Sequence, residues 1–146
     1  HSDHTAATNE VVYATDAKVV ASSVSKQGDV DRPVDDGDVL EVGDVTLRFL
    51  HTPGHTQDGL CVVVGDTALL TGDTLFIGDC GRCDLPGGCP ETMLRSLQDK
   101  IMPLPDHLTV YPGHDYGDKP FDDLGSQKAT NPCLLAEDLN AFTMIP

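Results

Sequence analysis

Apolar and polar residues alternate most regularly over residues 39–52, VLEV-GD-VTLRFLHT, where two short runs flank Gly43-Asp44. Strand side chains point to opposite faces in turn and a Gly-Asp pair suits a tight reversal, so this stretch predicts a β-hairpin. Val45, Leu47 and Phe49 then share one face, Thr46 and Arg48 the other. The device recurs over residues 59–73, GLCVVV-GD-TALLTGD, across Gly65-Asp66. In residues 90–104, PETMLRSLQDKIMPL, the period changes. Met93, Leu94, Leu97 and Ile101 recur at helical spacing behind Pro90, which predicts an amphipathic helix. Residues 108–117, LTVYPGHDYG, read as a strand running into a loop, and residues 131–142, NPCLLAEDLNAF, as a final short helix. Residues 17–24, AKVVASSV, read as a short helix capped by Asp16. The Gly, Pro and Asp of residues 24–38 predict a surface loop, and those of residues 77–90 a second long one. No repeat or linker divides the chain, so residues 1–146 are read as one α/β domain of packed layers.

Charge narrows the function. The chain has 24 acidic against 9 basic residues, a net charge of −15. Such a surface argues against nucleic acids and anionic membranes, which need basic patches, and resembles the solvated acidic surfaces of halophiles. No apolar run approaches the length of a membrane span, and no basic-then-apolar leader is present. The five cysteines, Cys61, Cys80, Cys83, Cys89 and Cys133, are an odd number. Together these features predict free thiols in a reducing cytosol. The C-x-x-C pair Cys80/Cys83 lacks the second pair of a structural zinc site, and is read as plain thiols. No apolar stripe marks an oligomer interface.

The candidate chemistry lies in the histidines. HSDH opens the chain with His1, Asp3 and His4, while His55, Asp73 and His114 each follow an expected strand. Strand ends are where a rigid scaffold presents functional groups, and these six side chains are N and O ligands suited to Zn, Fe or Mn. Asp73 is the natural bridge between two ions. Each residue alone has an ordinary explanation: a surface histidine, a turn aspartate, a tag remnant.

HSDH, HTPGHT (residues 51–56), LLTGDTLF (69–76) and YPGHDYG (111–117), in that order, resemble the metallo-β-lactamase superfamily. HSDH is similar to that family's leading H-x-H-x-D-H motif without its first histidine. The resemblance implies an αββα sandwich of two mixed sheets flanked by helices, here without its N-terminal strands. It implies two divalent metal ions, zinc or mixed zinc and iron. The absent histidine, His1 and His55 would hold one ion, Asp3, His4 and His114 the other, with Asp73 bridging. His51 is expected to be structural and His107 a surface residue.

GDCGRCDLPGG and HDYG followed by NP resemble the glyoxalase II and persulfide dioxygenase branches, which act on small-molecule thiol carriers. By that similarity Arg82 and Tyr116 would bind the carrier, the guanidinium fork matching a carboxylate. Three readings follow. The first is a metallo-hydrolase cleaving a thioester of a small thiol carrier, with Asp3 and Asp73 catalytic and the nucleophile a metal-bound hydroxide. The second is a persulfide dioxygenase with one Fe(II) held by the absent histidine, His55 and Asp73, a two-histidine, one-carboxylate face. The third is a metal-binding fragment without turnover.

Overall fold

The computed structural model describes residues 1–26 and 28–145. Its centre is a six-stranded mixed sheet. The strands are β3 (Val39–Val42), β4 (Val45–His51), β5 (Leu60–Val64), β6 (Ala68–Gly72), β9 (Thr109–Pro112) and β10 (Asp122–Asp123), in spatial order β10-β9-β6-β5-β4-β3. Both expected hairpins form. Val42 pairs with Val45 across a two-residue turn in which Gly43 has φ +61°, a conformation that glycine adopts without a Cβ clash. Val64 pairs with Ala68, giving the second hairpin a three-residue loop.

β6 and β9 run parallel, so a crossover must join them. It is helix α3 (Pro90–Ser96), extended by a π-helical turn over Leu97–Ile101. The widened turn is closed by the Met102 N–H on the Leu97 carbonyl at 2.9 Å, and Pro103, which has no N–H, stops the helix there. The expected apolar stripe is the one that packs: Met93, Leu94, Leu97 and Ile101 are all buried with Leu50, Cys61, Val63, Leu69 and Val110 of the sheet. Each such side chain contributes about 1.5–3 kcal/mol through area removed from water. The opposite sheet face buries Phe49 but leaves Leu70 and Tyr111 exposed.

Four local expectations are corrected. Residues 17–24 are not a helix: Val20–Ser22 is β1, paired in parallel with β2 (Arg32–Val34). Asp16 does not start a helix but ends one, adopting φ 56° at the C-terminus of α2 (Thr8–Thr15), which follows the short α1 (Ser2–Thr5). Stiff β-branched Val19 and Val20 favour the extended form, and the Asp31 carboxylate fixes it by accepting the Val19 N–H at 2.9 Å. β2 therefore lies inside the expected 24–38 loop, of which Gln27 falls outside the described residues. The 77–90 loop likewise begins with a strand, β8 (Asp79–Cys80), paired to β7 (Leu75–Phe76). Residues 131–142 form two helices, α5 (Pro132–Leu135) and α6 (Leu139–Thr143), preceded by α4 (Leu124–Thr130). Asn131 and Asp138 cap α5 and α6 separately, which breaks the run. The α/β class, with mixed sheets flanked by helices, is as expected. Among the described residues no helix is long and apolar enough to cross a membrane.

Candidate metal centre

The strand order explains why residues far apart in sequence meet. β4, β6 and β9 all point the same way, because β4 and β6 are each antiparallel to β5 and β9 is parallel to β6. Their C-terminal ends therefore share one edge of the sheet, where His55, Asp73 and His114 follow. The Gly113 N–H donates to the Gly72 carbonyl at 2.8 Å and locks the last two segments together. The Thr52 and Thr74 hydroxyls, 2.9 Å apart, tie the end of β4 to the segment after β6. α1 lays Asp3 and His4 across this edge, with His1 just ahead of it.

All six expected ligands converge, in two groups. His1, His55 and Asp73 offer donor atoms within 4.8 Å of one another, and so do Asp3, His4 and His114. Asp73 links the groups: its Oδ2 lies 3.1 Å from His4 Nε2, 3.3 Å from His55 Nε2 and 3.5 Å from His114 Nε2. Asp3 Oδ2 is 3.2 Å from His114 Nε2, and His1 Nδ1 is 3.0 Å from His55 Nε2. The other nitrogen of His55 is taken by the Arg82 carbonyl at 2.7 Å, which sets the ring so that Nε2 faces the cluster. Desolvation raises the Asp3 carboxyl, but its own backbone N–H and the imidazoles of His4 and His114 outweigh that, and it sits below its ordinary value.

Whether these residues suit a cation can be judged from Asp73 itself. Its Oδ1 is buried and has no hydrogen-bond partner among the described residues. Buried carboxylate oxygens are costly without a donor or a positive charge. The other oxygen of the same carboxylate, Oδ2, sits among imidazoles, and His1 Nδ1 and His55 Nε2 face each other at 3.0 Å, a set of lone pairs that a divalent ion would satisfy. The donor set is nitrogen and oxygen throughout, compatible with zinc, iron or manganese. The backbone also makes room: a Cβ on Gly113 would lie 2.6 Å from Asp73 Oδ1 and 2.9 Å from His4 Cε1, so only glycine lets the strand end approach this closely.

An open cavity of about 330 Å³ borders the cluster, lined in part by Phe76, Cys80, Arg82, Leu85 and Tyr116. Tyr116 stacks on His114, ring centroids 4.8 Å apart at 3°, and meets the edge of Phe76. The Arg82 guanidinium pairs with Asp84 through two 2.7 Å hydrogen bonds, and that pair holds the Asp84 carboxyl down at about 2. Both expected substrate residues thus border the cavity, with Arg82 already engaged. Phe76 and Gly113 were not singled out from the sequence, because a phenylalanine after a turn and a glycine after proline carry no local mark of a site. His51 accepts no role there: its Nε2 meets the Gln57 carbonyl at 2.8 Å, as expected of a structural residue. His107 pairs with Asp66 on the surface.

Comparison with known proteins adds an independent line. The model of the metallo-beta-lactamase superfamily matches residues 1–114. A hydroxyacylglutathione hydrolase of Polaromonas sp. is 40% identical over 121 residues, covering 80% of this chain and 46% of its own length. The mitochondrial persulfide dioxygenase ETHE1 of Bos taurus is 36% identical over 102 residues, 69% of this chain and 40% of its own. The crystal structure of ETHE1 from Myxococcus xanthus superposes with a TM-score of 0.87 at 34% identity, covering 97% of this chain and 62% of that one. The chain thus spans less than half the length of these two curated relatives.

Proposed function

The chain belongs to the metallo-β-lactamase superfamily, and from that premise we propose that it is a metal-dependent hydrolase cleaving a thioester of a small thiol carrier. The observation that carries this reading is Asp73, whose single Oδ2 reaches histidines of both donor groups. His1 and His55 would hold one ion, Asp3, His4 and His114 a second, and Asp73 both. Divalent ions bound there would supply Lewis acidity, acidifying water and polarising a carbonyl oxygen.

The rest of the chemistry falls to the chain. Asp3, exposed and on the cavity side, would take the proton of the attacking water through its carboxylate. The Arg82 carbonyl keeps His55 in one orientation. The Arg82 guanidinium, swinging from Asp84, would bind a carboxylate of the thiol carrier, with Tyr116 and Phe76 as the apolar wall. The thiolate released is a good leaving group and needs no acid. A cytosolic setting, the acidic halophile-like surface and a small-molecule thiol partner belong to the same proposal.

A second reading has its own support. His1, His55 and Asp73 are by themselves two histidines and a carboxylate, the set used by non-haem Fe(II) oxygenases. With the similarity to ETHE1, this favours a persulfide dioxygenase as the alternative. The test is metal content of anaerobically purified protein, followed by assays on a glutathione thioester and a glutathione persulfide. Two ions per chain and thioester cleavage are expected. One iron with oxygen uptake on the persulfide would replace the hydrolase with the second reading. Metal binding without either reaction would leave the metal-binding fragment.

A further inference from the structure

A second convergence of donors lies where the 77–90 loop meets α5. A carboxylate oxygen of Asp79 and the sulfurs of Cys80 and Cys133 lie within 4.8 Å of one another. Cys133 Sγ is 3.5 Å from Asp79 Oδ1. The C-x-x-C spacing gave no sign of this, because the partner of Cys80 is not Cys83 but a cysteine in α5.

The approach is built rather than incidental. Asn131, fully buried, donates from Nδ2 to the Asp79 carbonyl at 3.0 Å, while its Oδ1 accepts the Cys133 N–H at 2.9 Å. One side chain therefore clamps the backbones of both sulfur-bearing segments. A cavity of about 420 Å³ opens onto the trio, with Cys83 and Phe142 in its walls, so an ion has access. The arginine on the same cavity, Arg82, is already paired with Asp84.

We propose that Asp79, Cys80 and Cys133 form a second metal site, separate from the histidine centre, for zinc or a divalent ion of similar softness. Binding forms two metal–sulfur bonds and one metal–oxygen bond, and releases the two thiol protons to solvent; nothing is oxidised. Zinc–sulfur bonds of about 2.3 Å and zinc–oxygen bonds of about 2.0–2.2 Å in a tetrahedron place such donors roughly 3–4 Å apart, which the trio reaches with small side-chain shifts. A water or Cys83 completes the coordination. The site ties the loop to α5, and two residues after Cys80 the Arg82 carbonyl holds His55. The metal thus braces the loop that orients a histidine of the first centre.

Cobalt(II) separates the two sites by spectroscopy, because only thiolate ligands give an intense sulfur-to-cobalt charge-transfer band in the near ultraviolet. The reduced chain is titrated with cobalt(II) under argon. We expect a band that saturates with a single ion per chain and disappears in Cys133→Ser and in Cys80→Ser, far-ultraviolet circular dichroism confirming that each is folded. Cys133 is buried, so Cys80→Ser keeps the test open if Cys133→Ser does not fold. Asp79→Asn should keep the band and require roughly tenfold more cobalt, the loss that altering a ligand's electrostatics brings. No band, or a band that survives both cysteine variants, overturns the proposal. Failure of the histidine centre to bind metal would leave the band intact, so the two results are distinguishable.

Discussion

Asn131→Ala should destabilise the protein more than most single substitutions. The side chain is fully buried and its amide donates to three acceptors: the Phe76 carbonyl at 3.1 Å, the Asp79 carbonyl at 3.0 Å and Gln127 Oε1 at 3.2 Å. Its oxygen caps α5 through the Cys133 N–H. Alanine removes both amide hydrogens and leaves buried acceptors unsatisfied, at about 1–3 kcal/mol for each lost donor. Loss of the cap adds about 1 kcal/mol. The expected total is about 3–7 kcal/mol. For a chain of this size melting shifts by roughly 3 °C per kcal/mol, so Tm should fall by about 10–20 °C. Urea unfolding of chelator-treated protein is the assay, since bound metal would otherwise add linkage stabilisation. Asn131→Asp keeps the cap but sets a carboxylate against three acceptor oxygens, and should be no more stable than the alanine variant. A loss below about 1 kcal/mol, or an aspartate variant near wild type, would refute the idea that this amide holds β7, β8 and α5 together.

Gly113→Ala drives a Cβ to within 2.6 Å of Asp73 Oδ1; overpacking of about 1–3 kcal/mol should leave the chain folded while metal retained after dialysis falls at least tenfold. Metal analysis beside circular dichroism checks this, and unchanged retention would count against Asp73 as the shared ligand. Leu97→Ala, at a side chain with 0% exposure under the sheet, should cost about 2–5 kcal/mol in urea unfolding. A hydrogen bond from Lys100 holds the Asp36 carboxyl below its ordinary 3.8, against some desolvation and with help from the His51 N–H. Its contribution is therefore complete above pH of about 4 and is lost as pH falls through the lowered value. Asp36→Asn should make the urea midpoint less sensitive to acid over that range; an identical acid profile would remove this pair from the account.

The sequence by itself determined the parts whose physics is local. Two Gly-Asp reversals flanked by alternating runs specify hairpins, and Met93, Leu94, Leu97 and Ile101 recur at the one spacing that buries them together. The six candidate ligands that converge were legible as a set because their motifs stand in order along the chain and each follows a strand or lies at the start of the first helix. Where local preferences compete, the reading failed. Val19 and Val20 looked like part of a helix until Asp31 and a parallel partner strand held them extended. Residues 131–142 looked like one helix, although two side-chain caps divide them.

Only the tertiary structure decided what meets what. The parallel crossover from β6 to β9 aligns the strand ends, so that one oxygen of Asp73 reaches three histidines separated from it by 18 to 69 residues in sequence. The same is true of Cys80 and Cys133, which no spacing rule connects and which Asn131 brings together. Strand and helix periods are set by neighbouring residues, so a single sequence carries them. Long-range contacts depend on how whole elements pack, and that is settled only when the core they share is buried.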